Sequence, residues 1–185
     1  MKYSLSSHQL DEYLKLADEI HVQYRDRNII PDLAEKYPEA RINLEFPYRF
    51  NEETPIDWNE INSYYILSRK NFIVGVVSTE QIKKCKEKGY PMYHRTPAHS
   101  FQELRDMVNA GMAEVILGAP IFFCMEKVKR NFPNVRVRAF ANVALLEGSL
   151  SNNNGVCGTW IRPEDVSLYE PYVNTIEFYG NLKEE

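Results

Sequence analysis

Eight short segments that alternate like strands or run apolar, each followed by helical spacing or a helix-starting signal, predict an α/β fold of parallel strand–helix units closed into a compact (β/α)8, TIM-like barrel. Three observations carry this. The rhythm of strand and helix runs from residue 2 to residue 179. Helical stretches stop at Pro38, at Gly89 with Pro91, at Gly111 and at Pro133, and several strands carry apolar residues on one side with charged or polar ones on the other. Such a barrel usually takes about 250 residues. At 185 residues it would be unusually small, with minimal loops and helices of a turn or two. A partial barrel, an open parallel α/β sheet and a barrel completed by dimerisation stand as alternatives.

Each element has a local reason. Residues 2–7 read as a strand, and Ser7 as the cap of a helix carrying Leu10, Tyr13, Leu14 and Ala17 on one face. Residues 20–25 alternate strictly, and a helix over 28–37 ends at Pro38. Residues 41–46 alternate again up to Pro47, and 56–69 place Ile56, Ile61, Tyr64, Tyr65 and Leu67 at helical spacing. Residues 71–78, NFIVGVVS, form the most apolar strand, after which Thr79 is expected to cap a helix closed by Gly89. A strand over 92–96, a helix capped by Ser100 and ended by Gly111, and a strand over 114–118 continue the pattern. A basic helix over 122–132 precedes a strand over 135–142, and 149–158 is a polar loop rich in Asn and Gly. The segment 156–180 closes the barrel: Pro163 with Glu164 and Asp165 suits a helix N-terminus, and 175–179 alternates as the last strand.

A hydrophobic content of 44% supports a sizeable core and, at this length, a single domain over 1–185. The net charge of -4 and pI near 5.7 argue against a nucleic-acid partner. The N-terminus lacks the apolar run of a signal peptide, and no stretch approaches the ~20 apolar residues of a membrane span. A soluble, cytoplasmic protein with no membrane partner is therefore expected. Cys85, Cys124 and Cys157 are odd in number and widely spaced, which reads as reduced thiols.

Alternate strand residues of a barrel face its lumen. With Ile20, Val22, Tyr24, Ile42, Leu44, Phe46, Val135, Val137, Ile176 and Phe178 outward, four strands send inward His21, Gln23, Arg25, Arg41, Asn43, Glu45, Arg136, Arg138, Phe140, Asn142, Thr175, Glu177 and Tyr179. That interior is charged where barrels usually pack Val, Ile and Leu. Each charge then needs a partner, because an unpaired buried charge costs several kcal/mol. Barrel active sites lie at the C-terminal ends of the strands. The rule selects Glu45, Glu177 and His94, or its neighbour Arg95, as a common mouth, with Glu45, His94 and Glu177 the acid–base candidates. Arg25, Arg138 and Asn142 are the candidates for holding an anionic ligand. Deeper residues such as His21, Asn43 and Arg136 read first as structural.

Other patterns are weaker. Cys157 with His94 or His99 makes a thiol pair only on paper, since lone cysteines are more often inert, and no HExxH supports zinc at these histidines. No GxGxxG accompanies Gly118, so no metal and no cofactor is assigned. Tyr48, Phe50, Trp58, Phe122, Phe123 and Trp160 read as barrel plugs or as a subunit contact, which leaves a homodimer open.

The run 160–166, WIRPEDV, the following Tyr169-Glu170, and the closing strand 176–180 resemble the C-terminal barrel segment of the collagenase-like peptidases, a family of unclassified mechanism whose barrel members include RNA-hydroxylation and ubiquinone-pathway proteins. Residues 104–118, LRDMVNAGMAEVILG, resemble that family's unit of helix, Ala-Gly, strand and Leu-Gly. The resemblance covers about a quarter of the chain, as two stretches. It implies a shortened TIM-type barrel core with Arg162 and Glu164 as site residues. The chain departs from the family in its length, in lacking the four cysteines of the iron–sulfur members, and in lacking the cysteine-bearing catalytic signature.

Two functions follow. One is a small barrel enzyme that binds an anionic small molecule or peptide at its C-terminal mouth, with Arg25, Arg138 and Arg162 on the anion and the reaction unspecified. The other is a non-catalytic binding or accessory protein that uses the barrel as a scaffold.

Overall fold

The computed structural model describes residues 1–47, 55–142 and 160–179. Its strands are β1 (Lys2–Ser6), β2 (Glu19–Gln23), β3 (Arg41–Glu45), β4 (Phe72–Val76), β5 (Met92–His94), β6 (Val115–Ile116), β7 (Val137–Asn142), β8 (Trp160–Ile161) and β9 (Thr175–Tyr179). Every pairing is parallel. β1 lies between β2 and β9, the series β2, β3, β4, β5 runs along one flank, and β9, β7, β6 runs along the other. Bridges Tyr93↔Glu114 and Ala98↔Leu117 bring the end strands together. Eight strands thus form a nearly closed barrel, and the short β8 adds a rung beside the upper half of β7.

Between the strands lie α1 (Asp11–Leu14), a 3-10 helix Tyr24–Ile29 continuing into α2 (Ile30–Lys36), α3 (Trp58–Leu67), α4 (Thr79–Lys88), α5 (Phe101–Asn109), α6 (Ala119–Phe122), α7 (Met125–Asn131) and a 3-10 helix Pro163–Tyr169. The small size is met by single-turn helices and by 3-10 segments, as the length requires. Capping differs from expectation in two places. Ser78, not Thr79, caps α4 through a 3.3 Å bond from the Gln81 amide, and α1 begins after Leu10 with no side-chain cap, so Ser7 plays no such part. Ser100 does cap α5, accepting from the Glu103 amide at 3.1 Å. Gly89 closes α4 at φ 72°, a left-handed conformation that suits glycine. The expected basic helix over 122–132 is broken at Phe123 and Cys124, because Pro120 starts a separate turn directly after Gly118.

Outward-facing Ile20, Val22, Ile42, Leu44, Val74 and Val76 are wholly buried beneath the helices. Each such side chain contributes about 1.5–3 kcal/mol. Inside the ring sits a smaller apolar cluster of Ile73, Tyr93, Ile116 and Phe140, with Trp160 and Tyr179 packed on it. Among the described residues, no helix is long and apolar enough to cross a membrane.

Leu44→Ala tests the outer layer. It should cost about 2–5 kcal/mol, read as a lowered midpoint in urea unfolding. An unchanged midpoint would show that this layer does not hold β3.

Candidate active site at the barrel mouth

Strand alternation puts Ser4, Glu19, His21, Arg41, Asn43, Glu45, Ile73, Gly75, Tyr93, Ile116, Arg138, Phe140, Thr175 and Glu177 on the lumen side, in the observed register. Arg138, 1% exposed, stands at the centre. Its Nη1 donates to Glu19 Oε1 and to Glu177 Oε2, both at 2.8 Å, its Nη2 to Glu19 Oε2 at 2.9 Å, and its Nε to Glu114 Oε2 at 3.1 Å. The guanidinium also lies 4.3 Å from the Tyr93 ring centre. Arg41 adds bonds of 2.7 Å to Glu19 and to Glu114, Ser4 Oγ donates to Glu19 at 2.7 Å, and Thr175 donates to Glu114 at 3.2 Å. Burial alone would raise the pKa of Glu19. The charges of Arg138 and Arg41 and the hydrogen bonds from Arg138 and Ser4 outweigh it and bring that pKa to about 2.

The upper half is differently balanced. Asn43 donates to Tyr93 Oη at 3.1 Å, Tyr93 donates to Glu45 Oε1 at 3.2 Å, and Tyr179 donates to Glu177. Arg95 reaches Glu45 at 3.4 Å and donates to the carbonyl of Phe46. Burial, then the negative charge of Glu177, push Glu45 up to about 8 against the pull of Arg95. Glu177 is held below its ordinary value: burial opposes ionisation, but His21, Arg138 and bonds from Glu45 and Tyr179 overcome it. These surroundings favour the proton on Glu45 and the charge on Glu177. Gly75 leaves room for this arrangement, since a Cβ there would lie 2.8 Å from Tyr93 Oη.

Charge counting agrees. The lumen gathers Arg41, Arg95 and Arg138 against Glu19, Glu114, Glu177 and Glu45, so three positive groups face four carboxyls and the sum closes when Glu45 is neutral. Glu19 and Glu114 are lumen carboxyls that the strand alternation drawn from the sequence did not select.

The expected site residues divide. Glu45, Glu177 and Arg138 come together in the lumen. Arg25 does not: the chain leaves β2 at Gln23 and enters a 3-10 helix, which leaves the Arg25 side chain 76% exposed beside Asp26 at 3.5 Å. His94 points away from the lumen, because Tyr93 takes the inward position of β5; its Nδ1 accepts from the Thr96 amide at 3.1 Å, and burial lowers its pKa. Arg136 precedes β7 and is exposed rather than interior. Arg162 and Glu164 lie exposed at the start of the second 3-10 helix, where Arg162 bonds Asp165 at 2.7 Å and stands 3.6 Å from Glu164. Asn142 ends β7 with its backbone paired to Tyr179, and its side chain lies outside the described residues, as do Tyr48, Phe50 and Cys157.

Fold and lumen together define a compact (β/α)8 barrel whose interior holds a buried network of arginines and carboxyls. Among solved structures it is similar to a glycerol uptake operon antiterminator-related protein from Thermotoga maritima, at 14% identity over 95% of this chain and 93% of that one, with a TM-score of 0.53. It is similar also to orotidine 5'-monophosphate decarboxylases from Metallosphaera sedula (12% identity, 92% and 95% coverage, TM-score 0.46) and Sulfolobus solfataricus (13%, 87% and 87%, 0.43). At these identities the likeness is one of fold. No protein-family model matches the chain, so the resemblance to collagenase-like peptidases gains no support there, and no curated protein matches it.

Arg138→Met should destabilise the barrel by about 3–5 kcal/mol near pH 7, because three carboxylates lose their shared partner. The deficit should shrink on acidification, as the abandoned carboxylates take up protons. Chemical denaturation at two pH values measures it; a deficit that does not move with pH would assign the loss to packing.

Proposed function

We propose that the protein is a small-molecule-binding barrel enzyme that works by proton transfer at its C-terminal mouth, with Glu45 as the protonated acid and Glu177 as the ionised base. One observation carries this reading: two buried carboxyls, Glu45 and Glu177, share the end of the barrel where such folds place their chemistry, in surroundings that favour the proton on Glu45 and the charge on Glu177. Pairs of titratable groups driven apart by their surroundings are the usual mark of an acid–base couple. An anionic group on the ligand would meet Arg95, the arginine at the height of this pair. Arg138 is committed to three carboxylates, and Arg25 and Arg162 lie on the outside. A peptide as ligand, and peptidase chemistry with it, rests on the resemblance of residues 104–118 and 160–180 alone.

A non-catalytic binding or accessory role is the second reading. It is favoured by the lower network, where Glu19 and Glu114 are taken up by arginine and hydroxyl partners that serve the barrel itself.

The proton on Glu45 has a thermodynamic signature. Its folded pKa of about 8 lies above the ordinary 4.5, so its contribution to stability is present in full below 4.5 and is lost as pH rises through 8. Relative to Glu45→Gln, the wild type should lose stability between those limits with a slope approaching about 1.4 kcal/mol per pH unit. Parallel pH profiles would show an ionised Glu45 and end its role as the acid. Native mass spectrometry supplies the ligand test. A retained small molecule supports the enzyme, whereas none, together with destabilisation in both Glu45→Ala and Glu177→Ala, supports the accessory role.

A further inference from the structure

A cavity of about 190 Å³ opens at the C-terminal ends of β1, β2 and β9, walled by Ser6, Ser7, Gln9 and Gln23 and by the rings of His21 and Tyr179, with the exposed His8 beside them. It is smaller than the 300–1,000 Å³ pockets that hold drug-sized ligands. Its described walls include no Lys, Arg, Asp or Glu. Residues with hydroxyl, carboxamide and imidazole groups line the space instead, together with the ring of Tyr179, whose own hydroxyl is given to Glu177. The His21 and Tyr179 rings stack with centroids 5.5 Å apart at 30°.

The proton on His21 is placed by its neighbours. Ser4 has a single hydroxyl hydrogen and gives it to Glu19 Oε1 at 2.7 Å, so Ser4 Oγ, 3.2 Å from His21 Nδ1, must accept there. Glu177 Oε1, 3.9 Å from the same nitrogen, also favours a proton at Nδ1. Nε2, on the opposite edge of the ring, is therefore the acceptor. Burial keeps the imidazole neutral, outweighing the pull of Glu177 and Glu19 and joined by repulsion from Arg138 and Arg95.

We propose that this cavity binds the hydroxyl groups of a small polyhydroxylated ligand, with His21 Nε2 accepting a hydrogen bond from one of them. The proposal rests on the mouth being a ligand site and adds the chemical class of what enters it. Among the described wall residues an ionic group would meet no Lys, Arg, Asp or Glu, although Asp26 lies 3.3 Å from Nε2 of the lining His8, whereas a hydroxyl can pair with a serine, Gln23 or the His21 imidazole. The stacked rings offer an apolar surface to the carbon skeleton.

Nitrogen-15 NMR of the full chain near neutral pH, with ribose as the probe, tests both parts. The free protein should show His21 protonated at Nδ1. Ribose should shift its Nε2 resonance saturably, with a Kd on the order of 1 mM, while inorganic phosphate leaves that resonance in place. His21→Phe keeps a ring against Tyr179 but removes both nitrogens, and should weaken ribose binding by about 10-fold or more, the loss of one good hydrogen bond. A proton on Nε2 in the wild type, a His21 shift with phosphate and none with ribose, or equal ribose affinity in His21→Phe would each overturn the proposal. The first two readouts need no variant to fold. None depends on the protonation of Glu45, so this proposal and the acid–base reading fail separately.

Discussion

The interior of this barrel depends on a single buried guanidinium. Arg138 reaches from β7 to Glu19 on β2, to Glu177 on β9 and to Glu114 at the entry to β6, so one side chain ties together strands from different parts of the ring. Buried ion clusters of this sort add little net stability over a well-packed apolar core, since desolvation consumes most of the attraction. What they supply is register. A slip of β7 by one residue would turn Arg138 into the helix layer and Val137 into a ring of carboxylates, which reverses both burials at once. For a ring with a two-residue strand and a seam held by isolated bridges, such a lock compensates for little hydrogen bonding.

The same network accounts for the unusual carboxyl. Arg41 and Arg138 satisfy Glu19 and Glu114 in the lower half, and Arg138 extends one more bond upward to Glu177. Glu45 is left with Arg95 at 3.4 Å, a tyrosine and a negatively charged neighbour. In a buried setting those terms favour the neutral acid. The neutral form favoured at Glu45 is thus a consequence of three arginines serving four carboxyls, and Glu45 itself is buried at the C-terminal end of β3.

The ring was legible because strands with one face buried reveal themselves by period-two alternation, and segments 20–25, 41–46 and 175–179 do so clearly. The errors gather where a strand ends. Alternation carried past Gln23 drew in Arg25, although the chain there has already turned into a 3-10 helix, and alternation begun too early drew in Arg136. The reverse error hid Glu19 and Glu114. Glu19 lies two residues before His21, so extending that pattern back by one step finds it; Glu114 already stood in the strand over 114–118, but its neighbours Val115, Ile116 and Leu117 are apolar on both faces and give no parity to assign it inward. β5 is a different case. Its three residues, Met92, Tyr93 and His94, carry no hydrophobic alternation, and the inward place of Tyr93 is fixed by Asn43 and Glu45, partners 50 and 48 residues away. Parity in so short a strand is set by tertiary contacts, and His94 was misplaced for that reason.

Division along the barrel axis follows from these contacts. Below Arg138 the carboxylates of Glu19 and Glu114 each meet both Arg41 and Arg138, and for Glu19 these charges outweigh burial and hold it ionised. Above it, Glu45 and Glu177 accept from the phenols of Tyr93 and Tyr179, with His21 Nδ1 3.9 Å from Glu177, and burial weighs against the charge on both. Glu177 belongs to both halves, bonded to Arg138 through one oxygen and to Tyr179 through the other. A proton arriving on Glu177 would weaken its bond to the guanidinium that holds the strands in register, so the charge on Glu177 is coupled to the lock between β7 and β9. Glu45 is tied instead to Tyr93 and to Arg95, which also holds the Phe46 carbonyl where the chain leaves β3, so the two carboxyls serve different parts of the ring.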